Sequence, residues 1–358
     1  MTFKKLRASG HSSQDSTMSI SRVDRRQLGG LMAGGSLALS SGLAGCSSEA
    51  IGGKRVLYST DSLPTGYPTV EAVRAMGVYL GEKTDGRLGI KLYPGGQLGS
   101  EGSTLEIAMF GGLDLTRTFS AALNNIAPLT TLFSLPFLFR STAHQREVVD
   151  GEIGDTIMKS LESFGLRGIA IYDTGGRGFY TTERLIPDPS ALEGLKIRVP
   201  NSDIFLATMR ALGANPTPMN FSEVYQGLVQ NVIDGAENNW PSYISTRHYE
   251  VAPNFSETGH FRTPDMLIMS LRTWNSFNED DQALVMEAAR HSVGVMRSLW
   301  DARVEKSKQT LIDNGGEILS DIDSAPFRAL MGPVYDQFVT PELKPFLAEI
   351  DRIAEQGS

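Results

Sequence analysis

Residues 194–203 read GLKIRVPNSD, and residues 213–238 read GANPTPMNFSEVYQGLVQNVIDGAEN. The first holds a short apolar run at 196–199 that reads as a strand. In a strand, successive side chains alternate between faces. Ile197 and Val199 can therefore turn to a core while Arg198 points the other way, into a cleft or water. The second opens a helix after Pro218, where Asn220-Phe-Ser-Glu223 has the spacing of a capping box.

The same alternation runs outward along the chain. Residues 55–59 (RVLYS), 88–93 (LGIKLY), 113–119 and 168–172 (GIAIY) read as strands. Pro68 opens a helix to about residue 82, since proline is favoured in a first turn. Val70, Val73, Met76, Val78 and Leu80 supply its apolar side. Residues 101–110 read as another helix. Ser276-Phe-Asn-Glu279 is a second capping box, opening a helix to about residue 311 that is long for a globular protein; Gly294 permits a break into two. Strands alternating with helices argue for an α/β fold with parallel or mixed sheets covered by helices. No internal repeat stands out.

The first 45 residues do not read as part of that fold. Arg25-Arg26, a glycine- and alanine-rich uncharged run, and Leu43-Ala44-Gly45-Cys46 follow the order of an export signal, with a twin-arginine character. The apolar run is too short to span a bilayer. Cys46 is the single cysteine and sits where a lipoprotein signal places its lipidated residue, so residues 46–53 read as a tether. One cysteine also excludes an internal disulfide. The whole chain has 33 Lys+Arg and 41 Asp+Glu. Six basic and two acidic residues lie in 1–45, so the remaining 313 residues carry 27 and 39, a formal charge of −12. That balance disfavours nucleic acid, whose phosphates need a basic surface. The length points to two lobes.

No phosphate-binding GxxxxGK[ST], zinc HExxH or nucleophile GxSxG motif is present. The five histidines are scattered without ligand spacing, so neither metal nor cofactor is expected. Arginine suits a carboxylate because it donates two parallel hydrogen bonds. Arg177, Asn238 and Asn239 fall where segments end and loops meet, and asparagine serves hydroxyls as both donor and acceptor. Trp240 and Tyr243 are candidates to stack on a sugar face; core packing is the other reading, and the favoured one for Trp240.

The chain resembles the extracytoplasmic solute-binding proteins of TRAP (tripartite ATP-independent periplasmic) transporters over about residues 54–350. Beside the two stretches quoted first, YPGGQLGSE (93–101), GGLDLTR (111–117) and SLPFLFRS (134–141) carry the resemblance, in that order. It implies two α/β lobes closing on a ligand, a long helix spanning both, and delivery to TRAP membrane permease subunits. The lobes are expected at 54–174 plus 265–305 and at 175–264 plus 306–358, in a monomer held to the membrane only by its lipid. The resemblance makes Arg198 the partner of the substrate carboxylate and Arg177 a second arginine near it. Asn238 is the asparagine of the DGxEN motif, and Glu101 and Phe221 are cleft positions. Arg117 stands where the family varies, so a surface or structural role is an equal alternative. Where a single proline usually follows DGxEN, this chain has Asn239-Trp240-Pro241-Ser242-Tyr243, as in the subgroup that binds sugar acids, hexuronates in particular. Asp61, Tyr67 and His248 are further contacts for hydroxyls; for His248, helix packing is the other reading. The alternatives are a C4-dicarboxylate or keto-acid binder, an exported enzyme on sugar acids using Glu101 or Asp61 as base, and a ligand sensor.

Overall fold

The computed structural model describes residues 53–356, so the export signal and Cys46 lie outside it. Eleven strands form two sheets. β1 (Arg55–Thr60), β2 (Leu88–Tyr93), β3 (Leu115–Phe119), β4 (Leu166–Tyr172) and β10 (Asp265–Ser270) make the first, in the order β2-β1-β3-β10-β4. β5 (Arg177–Thr181), β6 (Lys196–Val199), β7 (Asn215–Pro218), β8 (Gly235–Asn238), β9 (Asn254–Phe261) and β11 (Glu317–Leu319) make the second, in the order β11-β9-β5-β8-β6-β7.

Five strands of the second sheet repeat the pairing pattern of the first, and β11, parallel to β9, extends it. In the first, β1 pairs parallel with β2 and β3, and β10 runs antiparallel between β3 and β4. In the second, β6 pairs parallel with β7 and β8, and β5 runs antiparallel between β8 and β9. This repeat is one of topology, which is why no sequence period announces it.

The helices cover these sheets. α1 (Pro68–Lys83) has proline in its first turn and buries Val70, Val73, Met76 and Leu80. Val78 is 58% exposed, contrary to its assignment to the apolar side, because a 3.6-residue period turns it away from that stripe. α2 (Glu101–Met109) follows an N-cap at Ser100. α3 (Thr142–Asp150) and α4 (Glu152–Ser160) precede β4; α5 (Asp203–Ala211) joins β6 to β7. The capping box at Asn220 is present, with Glu223 Oε2 accepting from Asn220 N at 3.0 Å. It opens a 3₁₀ turn, Phe221–Glu223, that leads into α6 (Val224–Val229). α7 (Trp240–Ser245) follows β8, and α8 (Leu271–Trp274) follows β10.

α9 (Glu279–Asp313) is one uninterrupted helix of 35 residues, about 52 Å long at 1.5 Å per residue. No break occurs at Gly294. Its cap differs from the expected box: Asn278 accepts from Asp281 N at 2.8 Å, while Ser276 Oγ donates to Thr273 O instead, at the end of α8. Val285, Ala288, Ala289, Met296 and Trp300 of α9 pack into the core of the first sheet. Leu311, further along, packs with Tyr180, Tyr243 and Phe255 of the second half. The chain ends in α10 (Ala325–Ala329), α11 (Gly332–Phe338) and α12 (Lys344–Gln356).

Candidate functional site

β6 buries Ile197 and Val199 fully in the core, so its pleat turns Arg198 toward the space between the sheets. A small cavity of about 40 Å³ lies there, lined by residues of both halves: Ser62, Glu101, Arg117 and Asp265 from one, Arg177, Arg198, Phe221, Asn238, Asn239 and Ser242 from the other. It is the neck of a wider cleft of about 590 Å³ that shares Ser62, Glu101, Arg198 and Phe221 with it. The neck alone has room for roughly three waters. A larger guest must extend into the cleft or push the walls apart.

Three buried arginines face this space in three different electrostatic situations. Arg177 is committed: Nε and Nη2 grip both carboxylate oxygens of Glu237, Nη2 also donates to the Glu237 carbonyl at 3.0 Å, and its guanidinium lies 4.6 Å from the Phe119 ring centroid. As an anion contact it therefore has a competitor already in place. Arg117 is surrounded: it donates to Asp61 (3.0 Å from Nε), Glu101 (2.7 Å) and Ser62 (2.8 Å), and lies 3.4 Å from Asp265. Burial alone would lower its proton affinity, but Asp61, Asp265 and Glu101 hold it well above the ordinary arginine value. The surface role weighed for Arg117 is excluded by its 3% exposure.

Arg198 differs from both. Nε and Nη2 donate to one neutral acceptor, the carbonyl of Met219, at 3.0 and 2.7 Å. Its guanidinium stands 5.6 Å from the Phe221 ring centroid. Among the described residues it forms no ion pair, and burial pulls its proton affinity down. A buried cation without a counter-charge is costly to keep unless a ligand supplies one.

The remaining sequence candidates divide. Asn238, the last residue of β8, spends its Oδ1 on the backbone N–H of Asn239 at 2.8 Å and lines the cavity. Asn239 caps α7, accepting from Ser242 N at 2.9 Å, and also lines it. Glu101 and Phe221 line both neck and cleft. Asp61 and Tyr67 do not line the neck. Asp61 is fully buried behind Arg117 and accepts from Thr69 Oγ1 and Leu63 N, both at 2.8 Å. Tyr67 is also fully buried; its hydroxyl shares a 2.9 Å hydrogen bond with Ser242 Oγ and lies 3.5 Å from Asn239 Oδ1. His248 reaches the wider cleft but bonds Tyr180 Oη through Nδ1 at 2.8 Å. Burial, with Arg198 nearby, pushes its imidazole down to about 3.

Trp240 and Tyr243 stay out of the neck. Trp240 stacks on Phe255, with ring centroids 3.8 Å apart, and Tyr243 Oη donates to Ala252 O at 2.7 Å. The most consequential residue missed is Asp265, the first of β10. Burial raises its carboxyl to about 7, Arg117 opposing and Glu101 and Asp61 adding to the rise. No motif marks it. Ser62 had a signal, standing beside Asp61.

The arrangement is a polar neck between two halves, where the Arg198 guanidinium has no counter-charge among the described residues and a carboxylate–hydroxyl–amide wall faces it. It suits capture of a small anion bearing hydroxyls.

Known proteins share this fold. A TRAP periplasmic solute-binding protein from Xanthobacter autotrophicus Py2, solved with bound β-D-galacturonate, is 47% identical, covers 82% of this chain and 98% of its own, and superposes with a TM-score of 0.80. One from Chromohalobacter salexigens, solved with bound D-glucuronate, is 36% identical with a TM-score of 0.81, covering 83% of this chain and 99% of its own. The 2,3-diketo-L-gulonate-binding periplasmic protein YiaO of Escherichia coli K12 is 30% identical over 319 residues, which is 87% of this chain and 96% of that protein. The model of the bacterial extracellular solute-binding proteins, family 7, matches residues 60–341. The chain belongs to that family: it is the extracytoplasmic solute-binding protein of a TRAP transporter, a binding protein and not an enzyme.

Proposed function

We propose that the solute is a hexuronate or a closely related sugar acid, and that Arg198 supplies the counter-charge for its carboxylate. The observation that carries this reading is the buried guanidinium of Arg198, bonded among the described residues only to the Met219 carbonyl. The opposite wall supports a polyhydroxylated body over a bare diacid. Glu101 offers a carboxylate to hydroxyls and Asp265 a carboxyl that, held near 7, can donate or accept; Asn238 and Asn239 bring amides, and among the described residues no second unpaired arginine lines the neck to take a second carboxylate. The uronates bound by the Xanthobacter and Chromohalobacter relatives point the same way. Isothermal titration of D-galacturonate, D-glucuronate and succinate into the protein tests it: tight binding of a uronate and weak binding of succinate is the expected result, and the reverse order would overturn it.

The capture step is closure of two lobes, 54–174 plus 265–305 and 175–264 plus 306–358, with the ligand handed to the permease subunits of the same transporter. In support, the five strands of the first sheet all fall in one set of boundaries and the six of the second in the other. A ligand shifts such an equilibrium only by its differential affinity for the two states. Small-angle scattering of a monomer that contracts when the uronate is added is the expected result. The export signal and lipid attachment at Cys46 complete the proposal; mass spectrometry of the membrane-extracted protein should find the mature chain beginning at an acylated Cys46.

A further inference from the structure

A second cavity of about 490 Å³ shares Arg177 and Asn239 with the neck but not Arg198. It sits where the chain crosses between the sheets. Thr174, Gly175 and Gly176 join β4 to β5, Arg262 belongs to the link from β9 to β10, and Trp300 to Lys308 belong to the C-terminal half of α9. All three crossings contribute to its wall.

Two of its donor groups, the Arg262 guanidinium and the Trp300 indole, have no anionic partner among the described residues. Arg262 Nη1 donates to Thr142 Oγ1 at 3.2 Å, and among the described residues no carboxylate pairs with this guanidinium. The group lies against Gly176, where an added Cβ would come 3.5 Å from Arg262 Cζ. Trp300 is buried, yet its indole Nε1 has no acceptor among the described residues; it faces Gly175, whose φ of +66° is a conformation that favours glycine. The nearby carboxylates are mostly spoken for. Glu257 accepts from Trp240 Nε1 and pairs with Lys308, both at 2.7 Å, and Asp301 pairs with Arg146 at 3.3 Å. Glu305, on α9, is the acid that remains.

We propose that this cavity is a second binding site, for a small oxyanion (carboxylate or phosphate), anchored by Arg262 and the Trp300 indole N–H. The site stands on its own geometry. Its consequence rests on the cleft reading: Arg177 and Asn239 line both cavities, so an oxyanion here and a uronate in the cleft share a wall. An occupant touching all three crossings binds the open and closed arrangements unequally. Linkage then requires each ligand to change the other's affinity by the same factor.

The test is isothermal titration of inorganic phosphate and, separately, acetate into wild type, Arg262→Gln, Arg262→Lys and Arg198→Ala, repeated with D-galacturonate present. The expected result is saturable binding of at least one anion at millimolar concentrations, weakened at least about tenfold in both Arg262 variants and kept in Arg198→Ala. The tighter of the two anions names the source. Arg262→Lys keeps the charge and loses the planar fork, so it serves if Arg262→Gln fails to fold. No saturable binding of either anion, binding unchanged by both Arg262 variants, or binding lost in Arg198→Ala would overturn the site. A bound anion that leaves the galacturonate affinity unmoved would overturn the coupling. Galacturonate failing to bind while the anion still binds would sink the cleft reading alone.

Discussion

Arg198 and Met219 form a pair in which, among the described residues, a full positive charge is satisfied only by a backbone carbonyl, through two hydrogen bonds of 3.0 and 2.7 Å to the same oxygen. The two other arginines of the neck both have carboxylates. The contrast between a charge that is spent and one held in reserve is what a binding protein needs before its ligand arrives.

Replacing Arg198 by alanine should cost little in the unliganded protein, because the two bonds lost to Met219 are offset by removing a desolvated charge; a change within about 1 kcal/mol is expected by denaturant unfolding. In uronate binding the same change should cost about 3–5 kcal/mol, a loss of roughly a hundred- to several-thousand-fold. Wild-type affinity in this variant would show that the anchor lies elsewhere.

Glu237 is the reverse case. It is fully buried and holds Arg177 through both oxygens. Glu237→Ala leaves that guanidinium buried without its counter-charge, which should lower folding stability by about 3–5 kcal/mol. Glu237→Gln, which keeps one acceptor, should lose less. Equal stability of Glu237→Ala and wild type in urea would contradict the assignment.

Asp265 predicts a pH dependence with a definite sign. Its carboxyl is held near 7 in the folded chain against an ordinary 3.8, so the native state binds the proton more tightly than the unfolded chain does. The stability this lends is complete near pH 3.8 and below, and is lost as the pH rises to about 7. His248 acts oppositely: with its imidazole near 3, its contribution is lost as the pH falls below 6.5. Comparing wild type with Asp265→Asn isolates the first effect. The stability difference should shift in favour of the asparagine variant between pH 4 and pH 7, and a difference that is flat across that range would refute it.

Tyr67 lies outside the neck yet ties α1's entry to α7 through Ser242. Tyr67→Phe removes one buried hydrogen bond between the two halves, about 1 kcal/mol. If that bond forms on closure, uronate affinity should fall roughly fivefold with no ligand contact altered. An unchanged affinity would mean that the bond is kept in the open form too.

Much of this was readable from residue order, and the reasons are physical. Lys196–Val199 announced both a strand and an outward arginine, because β pleating makes Ile197 and Val199 share a face and Arg198 take the other. The length of α9 is legible from its start signal, although Gly294 permits a break that the structure does not show; its cap is not, since Ser276 and Asn278 are both capping residues and only tertiary packing decides which one the helix uses. Position alone, just after the first strand, points Asp61 at the ligand, and Arg117 claims it instead. Asp265 stayed invisible because its importance comes from three groups, Arg117, Glu101 and Asp61, brought together from distant parts of the chain.

The interleaving of the two sheets sets how the molecule can be taken apart. β10 lies between β3 and β4, though it follows every strand of the second sheet except β11 in the chain. A fragment ending at Tyr172 would hold β1 to β4 with a vacant lane through its middle, exposing β3 and β4 edges that the intact protein keeps paired. Neither half can be harvested by a single cut at the waist, and any split-reporter version must keep β10 with the first four strands.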